Sequence, residues 1–303
     1  MRIAVIDIGT NSTRLLIVKI VNNNYQILSK KTIITRPGEG VEENKKLNNS
    51  AISRVISALE TFQEIIDEKR VQEVKVAGTS ALREVKNGDI LADIIKDKFD
   101  YNINIISGLR EAELVYQGIS TDLPYSNFMV VDIGGGSTEF IKKSHSEIIY
   151  QSLKIGAVRF TEKYLSNPAH KVNREKRKEL KSQVDQFLAE KIKNEYGNLR
   201  LPLAGVGGTI TTAAAIKLKM KTYNYKKIHK FTLNKSDIKK ILNTLSGLNL
   251  KARKQIDGLQ PKRADIIIMG LVILESIMDL LSCDSIIISE RDILWGMVAQ
   301  CKK

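Results

Sequence analysis

Apolar and polar positions alternate over residues 2–8, 13–21 and 25–35, and the breaks at Asp7–Ser12 and Asn22-Asn23-Asn24 are turn-forming, so the chain opens as a three-strand antiparallel meander. Ile52, Val55, Ile56, Leu59, Phe62, Ile65 and Ile66 then recur at three- and four-residue steps, which predicts an amphipathic helix over 49–69. Strands at 73–77 and 102–106 alternate with helices near 89–99 and from Arg110.

The turn cluster Asp122-Leu123-Pro124-Tyr125-Ser126-Asn127 marks a boundary, and a second three-strand run follows at 128–133, 138–142 and 148–153. A charged helix is predicted from 173 to about 195, a strand at 201–206, a helix from Thr209 and a strongly apolar helix over 263–281. The chain therefore begins twice, and two α/β domains are expected at 1–122 and 123–303. Residues agree with the pattern. Asp7-Ile8-Gly9-Thr10-Asn11-Ser12 and Asp132-Ile133-Gly134-Gly135-Gly136-Ser137 share Asp-Ile-Gly-x-x-Ser, 125 positions apart, as an ancient duplication would leave them.

Composition narrows the class. With 303 residues and 43% hydrophobic side chains, two globular domains are expected. The opening Met1–Asp7 carries no charged leader, so no secretory signal is expected. The apolar stretch 266–281 is broken by Glu275 and Asp279 and falls short of the ~20 apolar residues of a membrane span. Cys283 and Cys301 form no C-x-x-C pair, and His145, His170 and His229 lie far apart, which argues against a disulfide framework or a zinc site. A cytoplasmic protein without membrane attachment is the expectation.

Net charge is +14, and its distribution is uneven. Residues 1–122 hold 17 Lys/Arg and 17 Asp/Glu, whereas the segment 217–263 alone carries 14 Lys/Arg against Asp237 and Asp257. A solvated basic face is the plain reading; attraction of an anion is the functional one. No helix-turn-helix, zinc finger, RNP-like aromatic pair or Gly-x-x-Gly clamp accompanies the patch, and aromatic residues are 6%, so a nucleic-acid partner is not expected.

A strand ending in Asp, then a Gly-rich turn and a hydroxyl residue, suits phosphate and Mg²⁺. Glycines let the backbone N–H groups approach an oxyanion, Ser or Thr adds a donor, and the carboxylate holds a hydrated cation. One copy would be an ordinary hairpin turn. Two copies, with Gly205-Val206-Gly207-Gly208-Thr209 between a strand and a helix, favour chemistry.

Five motifs stand in order: Asp7-Ile8-Gly9-Thr10-Asn11-Ser12 with Arg14-Leu15-Leu16; Gly78-Thr79-Ser80-Ala81-Leu82-Arg83-Glu84; Ser107-Gly108 with Glu111-Ala112 and Leu114; Asp132 to Glu139; and Gly205-x-Gly207-Gly208-Thr209. Together they resemble the exopolyphosphatase/guanosine pentaphosphate phosphohydrolase family over both domains, in its short two-domain branch. The resemblance implies duplicated actin-like ATPase (ribonuclease H-like) domains around a central cleft. It implies Glu111 as the base that activates water, with helix capping as the plainer role. It also implies Asp7, Asp132 and Glu139 around a divalent cation, Mg²⁺, although Asp7 alone could simply cap its turn. Thr10, Asn11, Ser12, Gly134, Gly135, Gly136 and Ser137 would bind phosphate, as would Gly207, Gly208 and Thr209. Arg83 is expected as a cationic clamp, or in a surface ion pair near Glu84. Arg263, read as opening the long apolar helix, covers phosphate or lies exposed in a first turn.

Two departures stand out. Arg110 precedes Glu111 where the family carries a second glutamate, which predicts charge attraction on Glu111. Asp292-Ile293-Leu294-Trp295-Gly296 replaces the family's Gly-Leu-Arg-Glu-Gly. The leading expectation is a homodimeric exopolyphosphatase that uses the basic segment 217–263 as a substrate track. The alternatives are a guanosine pentaphosphate or nucleoside triphosphate phosphohydrolase, a kinase of the same superfamily, and a non-catalytic sensor.

Overall fold

A computed structural model describes residues 1–22, 24–123, 125, 127–144, 147–192, 196 and 201–301. Asn23, Pro124, Ser126, His145 and Glu195, which entered the sequence reading, lie outside the described residues. The chain divides into two units, one formed by Met1–Thr121 together with the segment from Arg291, the other by Asp122–Glu290.

In the first unit β1 (Arg2–Ile8), β2 (Ser12–Val21), β3 (Asn24–Ile34), β4 (Glu73–Gly78) and β5 (Ile103–Ile105) form a sheet of order β3-β2-β1-β4-β5. β1 pairs antiparallel with β2 and parallel with β4. From Ile3 to Ile8 no residue of β1 is more than 2% exposed, as required of a central strand covered on both faces. Helix α1 (Asn49–Glu68) turns Val55, Leu59, Phe62 and Ile66 inward, and the Asn48 side chain caps it by accepting from the Ala51 N–H at 2.7 Å. Between β4 and β5 come a single turn, α2 (Ser80–Arg83), and the longer α3 (Gly88–Phe99). The helix expected from Arg110 begins earlier: α4 spans Gly108–Ser120, capped by Ser107.

The second unit repeats this plan. β6 (Met129–Ile133), β7 (Thr138–Ser144) and β8 (Glu147–Leu153) form the meander, and β9 (Leu203–Val206) lies parallel to β6. With β10 (Thr232–Asn234) and β11 (Ser285–Ile288) the order is β10-β11-β9-β6-β7-β8. Read from β8, the first five positions follow the 3-2-1-4-5 order of the first unit; β10 is an added antiparallel edge. This is the duplicated ribonuclease H-like, actin-like fold. The longer helices of the unit are α5 (Ala157–Tyr164), α6 (Arg174–Lys191), α7 (Gly208–Lys217), α8 (Lys235–Ser246) and α9 (Ile267–Leu280), and α9 is buried over most of its length. Among the described residues no helix is long and apolar enough to cross a membrane.

Two sequence expectations are corrected. Arg263 does not open the apolar helix; it ends a 3-10 turn over Pro261–Arg263, because Pro261 starts a tight turn before the helix begins at Ile267. The second domain does not run to 303. The segment from Arg291 belongs to the first unit, where α10 (Ile293–Ala299) packs on α4. Glycines permit the approach: a Cβ on Gly296 would lie 2.0 Å from the Leu114 carbonyl oxygen, and one on Gly118 would lie 2.3 Å from that of Asp292.

The basic segment is less uniform than its charge count. Arg253 is fully buried and donates to the carbonyls of Leu248, Ala264, Pro168 and His170. Lys217 pairs with Asp237 at 2.6 Å, and Lys235 pairs with Asp279 at 3.3 Å. Lys219, Lys221, Lys226, Lys227, Lys240, Lys251, Lys254 and Lys262 are exposed. At the two ends of this unit, His229 accepts from the Glu290 N–H at Nδ1 and donates to Asp122 through Nε2.

Candidate functional site

In the first unit the predicted residues gather at the carboxyl ends of the parallel strands β1, β4 and β5, the end at which open α/β sheets bind ligands. After β1, the Gly9 N–H donates to the Ser12 carbonyl at 3.0 Å and closes the turn. Behind it, the Thr10 carbonyl accepts from Gly38, and the Asn11 carbonyl accepts from Thr35 and Arg36. With their carbonyls engaged, the N–H groups of Thr10 and Asn11 take no acceptor among the described residues. The Thr10 side chain itself packs toward Gly38, whose Cβ would overlap Thr10 Cγ2 at 2.2 Å. The Asn11 amide is buried with neither its oxygen nor its nitrogen hydrogen-bonded, and Ser12 is also buried.

Asp7 stands opposite Arg14 in the β1–β2 register. Arg14 donates to Asp7 Oδ2 through Nε at 2.8 Å and Nη2 at 2.6 Å, and through Nη1 to Asp292. Burial pushes the Asp7 carboxyl above the usual range, and the Arg14 charge opposes that shift. Asp7 Oδ1 is buried and unpaired, so one oxygen of the expected cation ligand is engaged and the other is not.

Arg83, on α2, and Glu111, in the first turn of α4, meet. Arg83 Nη1 lies 3.1 Å from Glu111 Oε2 and donates to the Ile106 carbonyl at 2.9 Å. The sequence reading proposed both residues without pairing them. Arg110, expected to act on Glu111, instead binds Glu113 at 2.7 Å, because a three-residue step places those two side chains on one helix face.

In the second unit the turn after β6 repeats the first, with the Gly134 N–H donating to the Ser137 carbonyl at 3.0 Å. Here helix α5 lies behind the loop. The Gly134 carbonyl accepts from Ala157, and the Gly135 carbonyl accepts from Val158 and Arg159. Gly136 accepts from the Arg159 side chain, Nε to O, at 2.7 Å. The N–H groups of Gly135 and Gly136 take no acceptor among the described residues. Ser137 is buried beside them.

Asp132 faces Glu139 across β6 and β7, at the position Arg14 holds opposite Asp7 in the first unit. Glu139 is 2% exposed and accepts from Ser152 Oγ at 2.7 Å. Asp132 Oδ1 rests against Gly207, where a Cβ would lie 2.6 Å away and where φ is 91°, so glycine is required twice over. The Arg263 guanidinium covers Gly208: a Cβ there would meet Nη1 at 1.8 Å. The Thr209 side chain lies against Gly270 of α9, whose Cβ would meet Oγ1 at 2.6 Å.

Sequence reasoning quoted Arg14 and Asp292 within motifs without giving them a role, and it did not single out Gly156 or Arg159. A strict cross-strand register would have found Arg14, seven residues after Asp7 across a closed turn. Nothing local announces Asp292, which is 278 residues from Arg14. The departures Leu294 and Trp295 are packing residues, 1% and 7% exposed. The Trp295 ring meets Tyr25 edge-on at 5.7 Å and lies under the Arg291 guanidinium at 4.5 Å.

The sequence profile of the Ppx/GppA phosphatase family matches residues 16–300. A bifunctional 3-dehydroquinate synthase/phosphatase of Fusobacterium nucleatum is 38% identical over 98% of this chain, which spans 46% of that protein. Exopolyphosphatase 2 of Mycobacterium tuberculosis is 30% identical over 98% of this chain and 97% of its own length. The crystal structure of an exopolyphosphatase from Cytophaga hutchinsonii superposes with a TM-score of 0.88 at 29% identity, covering 99% of this chain and 97% of that one. Twin Asp-Ile-Gly loops, a glutamate at the head of α4 and a profile match along nearly the whole sequence agree, and this chain belongs to the Ppx/GppA phosphatase family.

Proposed function

We propose that the protein is an exopolyphosphatase, a phosphoanhydride hydrolase that releases terminal orthophosphate from inorganic polyphosphate by water attack. The observation that carries this reading is the repeated turn. In both units an Asp-Ile-Gly loop has its carbonyls tied from behind and its N–H groups left without acceptors, the electrostatic arrangement that receives phosphate oxygens.

Glu111 accepts the proton of the attacking water. Its Oε2 is held by Arg83. A phosphate oxygen competes for the same guanidinium, and transfer of Arg83 to phosphate removes its hold on the carboxylate as the substrate arrives. Base activation and substrate clamping are then one event.

Asp132 and Glu139, direct cross-strand neighbours, supply two carboxylates beside the second glycine loop. That donor set fits Mg²⁺, which keeps several waters and takes one or two carboxylates together with substrate phosphate. Bound there, the cation would neutralise charge on the phosphate oxygens. Among the described residues no larger cluster of metal-ligating side chains occurs.

The exposed lysines between 219 and 254 provide the track for the rest of the chain; Arg253 and the paired lysines do not. Guanosine pentaphosphate hydrolysis by the same base and loops is the second reading, carried by the family itself. A cytoplasmic homodimer completes the proposal.

The test follows orthophosphate release from long-chain polyphosphate, guanosine pentaphosphate and ATP side by side. Polyphosphate should give the highest kcat/KM, and Glu111→Gln should lower kcat by at least ~100-fold. Equal rates for wild type and Glu111→Gln would remove Glu111 as the base.

A further inference from the structure

We propose that Arg159 is a positioning residue that holds the second glycine loop in its anion-receiving form. The proposal rests on the phosphatase reading for its function, but its geometry stands apart from that reading. Three consecutive carbonyls, those of Gly134, Gly135 and Gly136, point to one support, helix α5. The first two are met by backbone N–H groups of Ala157, Val158 and Arg159, which are the donors a helix start leaves without intrahelical partners. The third lies beyond their reach and is met by Arg159 Nε at 2.7 Å.

Fixing those carbonyls fixes the opposite faces of the same peptides. The Gly134–Gly135 peptide joins the Gly134 carbonyl to the Gly135 N–H, and the next peptide joins the Gly135 carbonyl to the Gly136 N–H. Each peptide is planar, so a carbonyl tied to α5 sends its N–H the other way. The Gly136 carbonyl likewise orients the N–H of Ser137. Without the Arg159 bond the Gly136–Ser137 peptide is free to rotate, and one donor of the receptor is lost.

Gly156 makes the arrangement possible. Any Cβ at this position would lie 2.4 Å from the Gly135 oxygen and 2.6 Å from the Gly136 carbonyl carbon, so a side chain there would push loop and helix apart. Arg159 itself is 9% exposed. A buried arginine that donates to a backbone carbonyl acts through geometry as well as charge, which gives the proposal its test.

Arg159→Lys keeps the charge and removes the Nε donor. On the full chain, inorganic phosphate is titrated while backbone and Arg159 Nε–H signals are followed by ¹H–¹⁵N NMR, and kcat and KM are measured on polyphosphate. In the wild type, phosphate should shift the N–H signals of Gly135, Gly136 and Ser137 and leave the Arg159 Nε–H signal in place. A large shift at Nε–H would mean direct contact with the anion and would overturn the positioning role. In Arg159→Lys the Ser137 signal should move before any phosphate is added, phosphate affinity should fall, and kcat/KM should drop about 10- to 100-fold. Wild-type phosphate affinity and loop signals in that variant would refute the proposal.

Gly156→Ala approaches the loop from the helix side and should weaken phosphate binding in the same direction; unchanged binding counts against the proposal even if Arg159→Lys fails to fold. If the wild type binds phosphate at the loop but releases none from polyphosphate, the phosphatase reading fails while the Arg159 assignment stands.

Discussion

Asn11 shows at the scale of one residue how a site is built at the expense of stability. Its amide is buried with two polar atoms unpaired, a condition that costs roughly 1–3 kcal/mol per group in an interior. Replacing it by leucine removes that cost along with the proposed phosphate donor. Asn11→Leu is expected to leave the thermal midpoint unchanged or raised while KM for polyphosphate increases at least ~10-fold. A lowered midpoint with unchanged KM would make Asn11 a packing residue. The loops were the most legible part of the candidate site: Asp7, Asp132 and the glycines after them announce strand-ending turns in their own sequence neighbourhood, whereas the role proposed for Glu111 came from the family resemblance. Pairing was less legible. Arg83 and Glu111 are 28 positions apart, and the bond between them follows only from the placement of the end of α2 against the first turn of α4. Arg253 was counted with the surface charge because a charge count does not register that four backbone carbonyls have drawn a side chain inside.

Elements were legible where the periodicity was long and clean. Both meanders and α1 followed from alternation or the helical step, whereas α5, α8, β11 and α10 did not. α5, β11 and α10 are short, and their burial is decided by contacts distant in sequence; α8 carries a helical stripe of Ile238, Ile241, Leu242 and Leu245, in a segment considered only for its charge. Helix α10 has seven residues and lies on α4 with no room for a methyl group at Gly296, where the clash is with backbone. Gly296→Ala should therefore destabilise the first unit by about 1–3 kcal/mol, read by chemical denaturation. In the second unit, Lys217 at the end of α7 binds Asp237 at the start of α8. That bond, ahead of other influences, holds Asp237 below its ordinary carboxylate value of 3.8. A depressed carboxylate stabilises the fold above the unfolded value, and the contribution is lost as pH falls through the folded one. Lys217→Met should weaken the native state at neutral pH and flatten its loss of stability on acidification below pH 3.8, measured as thermal midpoint against pH.

Across the whole molecule, the charge excess acquires a narrower meaning. Of 14 cations between 217 and 263, some pair with carboxylates and Arg253 is interior, so the attraction for a polyanion falls to exposed lysines on flexible stems. Interactions of that kind are screened beyond ~8 Å at physiological ionic strength. KM for long polyphosphate should rise severalfold when KCl goes from about 0.05 to 0.3 M, and KM for tripolyphosphate should rise less. Equal salt sensitivity for both would remove the track. The first unit also differs from the second in continuity: it is interrupted after Thr121 and resumes at Arg291. On a translating ribosome its sheet is made early, yet Asp292, the second partner of Arg14, and the apolar face of α10 emerge only after every residue of the second unit. Of the two units, the one whose strands are synthesised earlier receives its last helix only after the other is made, and until then the nascent chain must carry α4 with its α10 face bare.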